Sequence, residues 1–214
     1  MKVKGNDEMI NLAKQEFLDN RLPEIINGEI VSMAPRPNMN HLGSMGNIYG
    51  LFYTYLKGKK CRVFADGGYI RLDKIKSMSL PDKNKRDRLV PDVMIVCDRD
   101  IIKSDGIYGA PDLVVEVLSP STAKHDRSGK KDIYELIGVK EYWIVSTAER
   151  TIEVYLVKDG KYVLDNIYQQ YTEEEIEMLM EDETVTNKSI VKEFKTSIFD
   201  DLVISTDDVF DKLI

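Results

Sequence analysis

Apolar and polar residues follow two different periods along this chain, and these periods predict its helices and strands. Apolar residues spaced three or four apart predict helices over residues 6–19, 41–56 and 128–137, and the last ends at Gly138, a favourable C-terminal residue. Alternating or continuous apolar runs predict strands, at residues 61–72, 89–97, 112–119, 141–146, 151–157 and 162–167. This order of elements predicts an α/β fold with a central mixed β-sheet flanked by helices.

A hairpin is predicted near the start of this series. The pair Asn27-Gly28 is a strong tight-turn signal, and it lies between the apolar residues of segment 24–33. Pro35 and Pro37 follow and end the second of the two short strands.

Composition favours one domain over residues 1–214 with a real core, because the chain is 43% hydrophobic and 31% charged. No apolar stretch approaches the length of a membrane span, and the N-terminal residues lack an apolar signal segment, so we expect a cytoplasmic protein. Cys61 and Cys97 lie far apart without the spacing of a metal site, and we expect two reduced thiols. His41 and His125 are the only histidines, which excludes a histidine-rich zinc site.

The net charge of −7 argues against a surface built broadly for nucleic acid, since phosphate binding needs basic patches. Two basic runs remain, within residues 74–88 and 124–131. Each is either a local DNA-binding patch or ordinary solvated surface. Much of the negative charge lies at residues 173–183.

Two apolar strand segments each contain a carboxylate, Asp92 in the first and Glu116 in the second. A buried carboxylate is costly unless it is paired or bound to a cation. If the two strands are neighbours, both carboxylates can converge on one Mg²⁺, which prefers oxygen ligands. The alternatives are that Glu116 pairs with a core arginine and that Asp92 caps a turn after Pro91. The pattern favours a metal-dependent hydrolytic site.

A lysine is predicted on one helix face near these strands. Asp126, Lys130 and Tyr134 are spaced four residues apart and therefore share a face, whereas Lys131 lies about 100° further round the helix. The alternative is an exposed ion pair between Asp126 and Lys130. Beside two carboxylates, the amine of Lys130 can position or help deprotonate an attacking water and offset negative charge in the transition state.

The order of these motifs resembles the Uma2 family, a group of restriction-endonuclease-like proteins in the PD-(D/E)xK nuclease superfamily. The similar stretches are PDVMIV, APDLVVEVLSPST, the spacing Asp126-x3-Lys130-x3-Tyr134, and GVKEYWIV followed by IEVYLV. The resemblance covers roughly residues 20–214, with an acidic segment at about 170–194 that looks like an insertion. It implies a restriction-endonuclease-like core, and the helix predicted from the apolar pattern, within residues 1–20, precedes this core.

The resemblance also implies roles for individual residues. Asp92 matches the aspartate of the PD element, and Glu116 matches the acidic residue of the (D/E)xK element. Leu118 stands where the general pattern has its lysine, and Lys130 on the following helix takes the place of that lysine. Auxiliary roles are expected for residues in the opening hairpin, after it, and beside the three main residues: Glu24, Glu29, His41, Asp112, Asp126 and Tyr134.

We therefore predict Mg²⁺-dependent (or Mn²⁺-dependent) hydrolysis of DNA phosphodiester bonds, with Asp92 and Glu116 as metal ligands and Lys130 as the third catalytic residue. Two other functions remain open. The chain could be a catalytically silent nuclease fold that binds DNA or protein, or a metal-dependent hydrolase of a small phosphoester. The family resemblance further implies a homodimer, which could present two sites to a duplex.

Overall fold

The computed structural model describes residues 24–26, 29–32, 37–75, 87–119, 123–181 and 190–214. The predicted helix at residues 6–19 and the Asn27-Gly28 turn lie outside the described residues. The strands in chain order are β1 (Glu24–Ile26), β2 (Glu29–Ser32), β3 (Arg62–Ala65), β4 (Ile70–Arg71), β5 (Arg88–Leu89), β6 (Val93–Val96), β7 (Ile102–Lys103), β8 (Gly106–Ile107), β9 (Leu113–Val117), β10 (Glu141–Ser146), β11 (Thr151–Lys158), β12 (Lys161–Gln169), β13 (Glu193–Lys195) and β14 (Val203–Ser205).

The helices lie between and beside these strands. They are α1 (Met39–Leu56), α2 (Ala123–His125), α3 (Lys131–Ile137), α4 (Glu173–Met180) and α5 (Thr206–Val209). A π-helical turn, Asp126–Lys130, joins α2 to α3, so the predicted helix at residues 128–137 begins earlier and is not regular throughout. Gly138 ends α3 in the left-handed conformation, as predicted. Among the described helices, none is long and apolar enough to cross a membrane.

The central sheet has six strands in the order β12-β11-β10-β9-β6-β3. Strands β9 and β10 run parallel, because the helical segment between them returns the chain to the same end of the sheet, and the other pairs are antiparallel. The predicted α/β fold with a central mixed sheet and flanking helices is confirmed. A second sheet of very short strands, in the order β2-β1-β5-β4-β8-β7, was not predicted.

Both faces of the inner strands β6, β9 and β10 are buried, which explains why these strands read as continuous apolar runs. One face, including Trp143, packs against Phe52 of α1 and Phe194 of β13. The opposite face packs against Tyr134 of α3 and strands of the second sheet, such as β5 with Leu89. The candidate chemistry lies on this second face, at the edge where the two sheets and α3 meet.

The expectation of two reduced thiols is wrong, because Cys61 and Cys97 form a disulfide. Strands β3 and β6 are antiparallel, with Arg62 opposite Val96. One step further in this register places Cys61, just before Arg62, opposite Cys97, just after Val96. The two cysteines are 36 positions apart, and only the pairing of these strands brings them together. The bond joins the edge strand β3 to β6, which lies between β3 and β9 in the sheet.

Candidate active site

Asp92 and Glu116 come together because their strands are antiparallel neighbours. Val93 lies opposite Val115 in the pairing of β6 and β9, and one further step in this register places Asp92 opposite Glu116 on the same face. Oδ2 of Asp92 accepts a hydrogen bond of 2.7 Å from the backbone N–H of Val117. Glu116 is only 2% exposed, whereas the side chain of Asp92 is 21% exposed. The two carboxylates therefore line one pocket, with Asp92 closer to solvent.

Lys130 reaches this pocket from the helical segment. Its Nζ lies 3.0 Å from Oε2 of Glu24, 3.1 Å from Oε2 of Glu116 and 3.2 Å from Oδ1 of Asp126. Its side chain is only 5% exposed. Lys131 points elsewhere, with its Nζ 3.9 Å from the ring centroid of Tyr155. The prediction that Lys130 and not Lys131 faces the carboxylates is confirmed, and the alternative of an exposed ion pair is wrong.

Two tyrosines hold the surroundings of Lys130 in place, one through the π-helical turn and one through Glu116. The hydroxyl of Tyr142 donates a hydrogen bond of 2.9 Å to the backbone carbonyl of Asp126, at the start of the π-helical turn. Tyr134, one turn after Lys130, donates a 2.6 Å hydrogen bond to Oε1 of Glu116. Tyr142 lies in the strand predicted at residues 141–146, and an apolar strand gives no signal for a hydroxyl contact. Single π-helical turns occur often at functional sites.

Glu24 is the carboxylate of the opening hairpin that reaches the pocket. Its Oε1 accepts a hydrogen bond of 2.9 Å from the backbone N–H of Val90, and its Oε2 faces Lys130. Strand β1 pairs with β5 through Ile25 and Arg88, which places Glu24 beside the segment leading into Asp92. Glu29 begins β2, and its side chain lies outside the described part of the structure.

His41 approaches Asp92 from the N-terminal turn of α1. Asn38 caps this helix, and its Oδ1 accepts a hydrogen bond of 2.8 Å from the backbone N–H of His41. The imidazole is buried, and Nε2 lies 3.4 Å from Oδ2 of Asp92. Nδ1 is also buried and has no hydrogen-bond partner within the described ranges.

Asp112 does not join the cluster, although it shares a strand face with Glu116. It lies at the other end of β9, about 13 Å away at the usual rise per residue. Its Oδ2 accepts a 2.7 Å hydrogen bond from the backbone N–H of Cys97, and its Oδ1 lies 2.7 Å from Nζ of Lys140. Its pairing is structural, so the auxiliary role expected for Asp112 receives no support from its position.

One further residue at the pocket was not identified from the sequence. The backbone N–H of Asp66 donates a 3.2 Å hydrogen bond to the carbonyl of Asp92, and Asp66 has a positive φ of 29°. A non-glycine residue in this region is uncommon. The following Gly67 and Gly68 were a turn signal, but nothing local indicated that the turn would border Asp92.

Burial and mutual repulsion perturb the ionisation of this cluster. Burial raises the pKa of Asp92 to about 7, although the Val117 N–H and Lys130 oppose the shift. Burial likewise raises the pKa of Glu116 well above its usual range, with Lys130 opposing and the neighbouring carboxylates adding to the rise. For Lys130, burial opposes the charged form, but the surrounding carboxylates prevail and raise its pKa well above the usual value. Burial lowers the pKa of His41, so its ring is neutral at pH 7.

The donor set fits a hard divalent cation held by two carboxylates. Asp92 and Glu116 offer oxygen ligands, and burial, with the neighbouring carboxylates adding to it, raises the pKa of both, so a bound cation would offset the cost of their ionised forms. In the part of the chain that the structure describes, no group of three or more His, Cys, Asp or Glu residues has a metal-binding arrangement. Mg²⁺ commonly uses one or two protein carboxylates and keeps several waters, so two suffice. Glu24 and Asp126 serve as partners of Lys130.

Comparisons with known proteins bear on the family and the fold of this chain. A family model described as "Uma2: Putative restriction endonuclease" matches residues 14–187. The protein slr1290 of Synechocystis sp., described as uncharacterized, is 30% identical over 145 residues, which cover 67% of this chain and 70% of that protein. A crystal structure from Anabaena variabilis, described as "a putative nuclease belonging to DUF820", superposes with a TM-score of 0.60 at 17% identity and covers 92% of this chain and 96% of its own. At this identity the structural likeness shows the shared fold.

Proposed function

The chain belongs to the Uma2 family, and from this premise we propose that it is a divalent-metal-dependent endonuclease that hydrolyses DNA phosphodiester bonds. The observation that carries the proposal is the contact of Lys130 with Glu24, Glu116 and Asp126, next to a further carboxylate at Asp92. This cluster has more acids than bases, and it is mostly buried.

Such a cluster is a poor way to stabilise a fold. Removing charges from water costs several kcal/mol for each ion in real proteins, and an apolar set of similar volume is often as stable or more so. Titratable groups perturbed by burial and by specific charged neighbours are typical of functional sites. A functional explanation for these residues is therefore stronger than a purely structural one.

Asp92 and Glu116 are the residues that would hold the cation. A bound Mg²⁺ would supply positive charge to a phosphoryl oxygen and lower the pKa of a water. Tyr134 holds Oε1 of Glu116 by its hydrogen bond, and the N–H of Val117 holds Oδ2 of Asp92. These contacts orient both carboxylates before a ligand arrives, which reduces the reorganisation needed for catalysis.

Lys130 is proposed to act as a fixed positive charge. Because its pKa is raised well above the usual value, the amine stays protonated at neutral pH and cannot serve as a general base. Its Nζ lies 3.1 Å from Glu116, close enough to contribute charge beside the scissile phosphate. Among the roles expected from the sequence, the raised pKa of Lys130 supports charge stabilisation over deprotonation of water.

DNA as the substrate is supported by the family rather than by the surface. In the second basic run, Arg127 is already paired with Glu153 at 2.9 Å, while Lys124 is exposed. Most of the first run, residues 76–86, lies outside the described residues. A homodimer is part of the same proposal, since a two-fold axis would place two sites on one duplex.

The test is a cleavage assay with supercoiled, linear, single-stranded and branched DNA, and with bis(p-nitrophenyl) phosphate, each in Mg²⁺, Mn²⁺ or EDTA. We expect metal-dependent cleavage of at least one DNA form, lost in Glu116→Gln. The matched control is Asp112→Asn, which removes a carboxylate from the same strand face outside the cluster and should cleave normally. Hydrolysis of the small ester alone would indicate a small-phosphoester hydrolase, and DNA binding without cleavage would indicate a silent nuclease fold.

A further inference from the structure

His41 stands beside Asp92, and beyond the unspecified auxiliary role expected from the sequence, the proposed reaction gives this histidine no function. We propose that His41 is a positioning residue, whose Nε2–H donates to Oδ2 of Asp92 and orients that carboxylate for the divalent cation. The inference rests on the proposed function, because it assigns Asp92 to the cation. The inference starts from the distance of 3.4 Å between Nε2 of His41 and Oδ2 of Asp92. His41 is buried, with only 8% of the residue exposed.

The surroundings of the ring determine which nitrogen carries the proton. A neutral imidazole has one N–H, and the nitrogen without it is an acceptor. A carboxylate that binds a cation is ionised, and against an ionised Asp92 an Nε2 lone pair would face a negatively charged oxygen, which is repulsive. The proton therefore belongs on Nε2, which leaves Nδ1 as the acceptor. The distance of 3.4 Å is longer than a normal hydrogen bond, as is common before a ligand completes a site.

Two hydrogen-bond donors approach the same oxygen of Asp92. The backbone N–H of Val117 lies 2.7 Å from Oδ2, and Nε2 of His41 approaches that oxygen from α1. Donors from two different elements restrict rotation of the carboxylate about its terminal bond. Oδ1 is then the oxygen left for a cation. Metal-binding carboxylates are generally held by such partners, whose loss weakens metal binding.

The helix that carries the His41 ring is anchored at its first turn and in the core. Asn38 caps the first turn of α1 by accepting the backbone N–H of His41, and Ile48 and Phe52 anchor the same helix in the core. Nδ1 makes no hydrogen bond in the described part of the chain, so packing alone gives no reason for an imidazole here. An apolar residue would fill the volume without burying an unsatisfied acceptor.

The experiment measures Mn²⁺ binding by electron paramagnetic resonance and calorimetry, and thermal unfolding of the metal-free protein, for His41→Ala, His41→Gln and His41→Asn. The amide nitrogen of glutamine can take the place of Nε2, whereas the shorter asparagine reaches only the place of Nδ1. We expect His41→Ala to weaken Mn²⁺ binding about 10- to 100-fold. His41→Gln should restore most of the affinity, and His41→Asn should not. Ser44→Ala, one turn further along the same buried face of α1, is the matched control and should bind Mn²⁺ normally.

Each outcome decides the proposal. If His41→Ala binds Mn²⁺ as tightly as the wild type does, or if glutamine and asparagine behave alike, His41 does not position Asp92. If affinity follows the unfolding temperature across all variants, including Ser44→Ala, the role of His41 is structural and the proposal is wrong. A wild-type protein that binds no Mn²⁺ would refute both the positioning role and the proposed function, whereas normal wild-type binding with an unaffected His41→Ala would refute the positioning role alone.

Discussion

Replacing Lys130 by methionine removes the ammonium while keeping most of the side-chain volume. Glu24, Glu116 and Asp126 each lie within 3.2 Å of that ammonium, so all three lose their cation. Breaking a buried ion pair by deleting one partner typically costs about 3–5 kcal/mol, because the remaining charge is left uncompensated. Lys130 is only 5% exposed, so solvent cannot compensate. We expect Lys130→Met to lose an amount in this range at neutral pH.

The loss should depend on pH, with a definite sign. Burial already raises the pKa of Asp92 to about 7 and that of Glu116 well above its usual range, and Lys130 opposes both shifts. Without Lys130 these values rise further. A carboxylate whose folded pKa exceeds its unfolded value makes folding take up protons, so the folded state gains stability as pH falls. The penalty should be largest above pH 7 and should shrink towards pH 5, as the carboxylates become neutral.

The assay is urea unfolding of wild type, Lys130→Met and Lys131→Met at pH 5, 6.5 and 8 in EDTA. Lys131 is the matched control, since it is the next lysine in the chain but lies on a different face of the helix, where its Nζ is 3.9 Å from the centroid of the Tyr155 ring. Its loss should stay near 1 kcal/mol or below, with little pH dependence. Equal losses for the two variants, or the same loss for Lys130→Met at pH 5 and pH 8, would refute the idea that the lysine balances buried carboxylates.

Three other changes test separate parts of the structure. Asp92→Ala or Glu116→Ala should reduce plasmid cleavage by orders of magnitude while the circular dichroism spectrum is preserved, and unchanged cleavage in Glu116→Ala would eliminate the assigned mechanism. Tyr134→Phe removes the 2.6 Å hydrogen bond to Glu116 and should lower the free energy of unfolding by about 2 kcal/mol in urea, so an unchanged midpoint would contradict the contact. Reducing the Cys61–Cys97 disulfide, which closes a separation of 36 positions, should cost about 4 kcal/mol by loop entropy, and equal unfolding curves with and without dithiothreitol would show that the bond does not form.

Local patterns predicted the central sheet well. The strand at Glu141–Ser146 has the predicted bounds, because six consecutive buried residues leave a clear signal. The second sheet could not be predicted in the same way, since β4, β5, β7 and β8 have two residues each and so small a segment has no measurable period. The disulfide was not predicted for a related reason, because it depends on the register between β3 and β6 and not on spacing along the chain.

The residues of the candidate cluster could be picked out from the sequence where a charged residue conflicts with the local apolar pattern. Glu116 stands out because a carboxylate interrupts an apolar strand, and Lys130 because it shares a helix face with a tyrosine. Glu24 could be identified only through the family resemblance, since a glutamate at the start of a hairpin is unremarkable by itself. The contact between His41 and Asp92 had no local signal at all, because it follows from how α1 packs on the central sheet.

The source of the lysine explains the composition of the cluster. In the general (D/E)xK pattern the amine would follow Glu116 by two residues on the same strand face, but Leu118 occupies that position and packs into the core. Here the amine arrives from a helix, and it needs a carboxylate on its own helix face as well as one on the strand. Asp126, four residues before Lys130, supplies that contact, and Glu24 closes the remaining side. These two acids are therefore explained as partners of Lys130, and Glu116, which also lies 3.1 Å from the amine, is proposed to share its other interactions with a cation held together with Asp92.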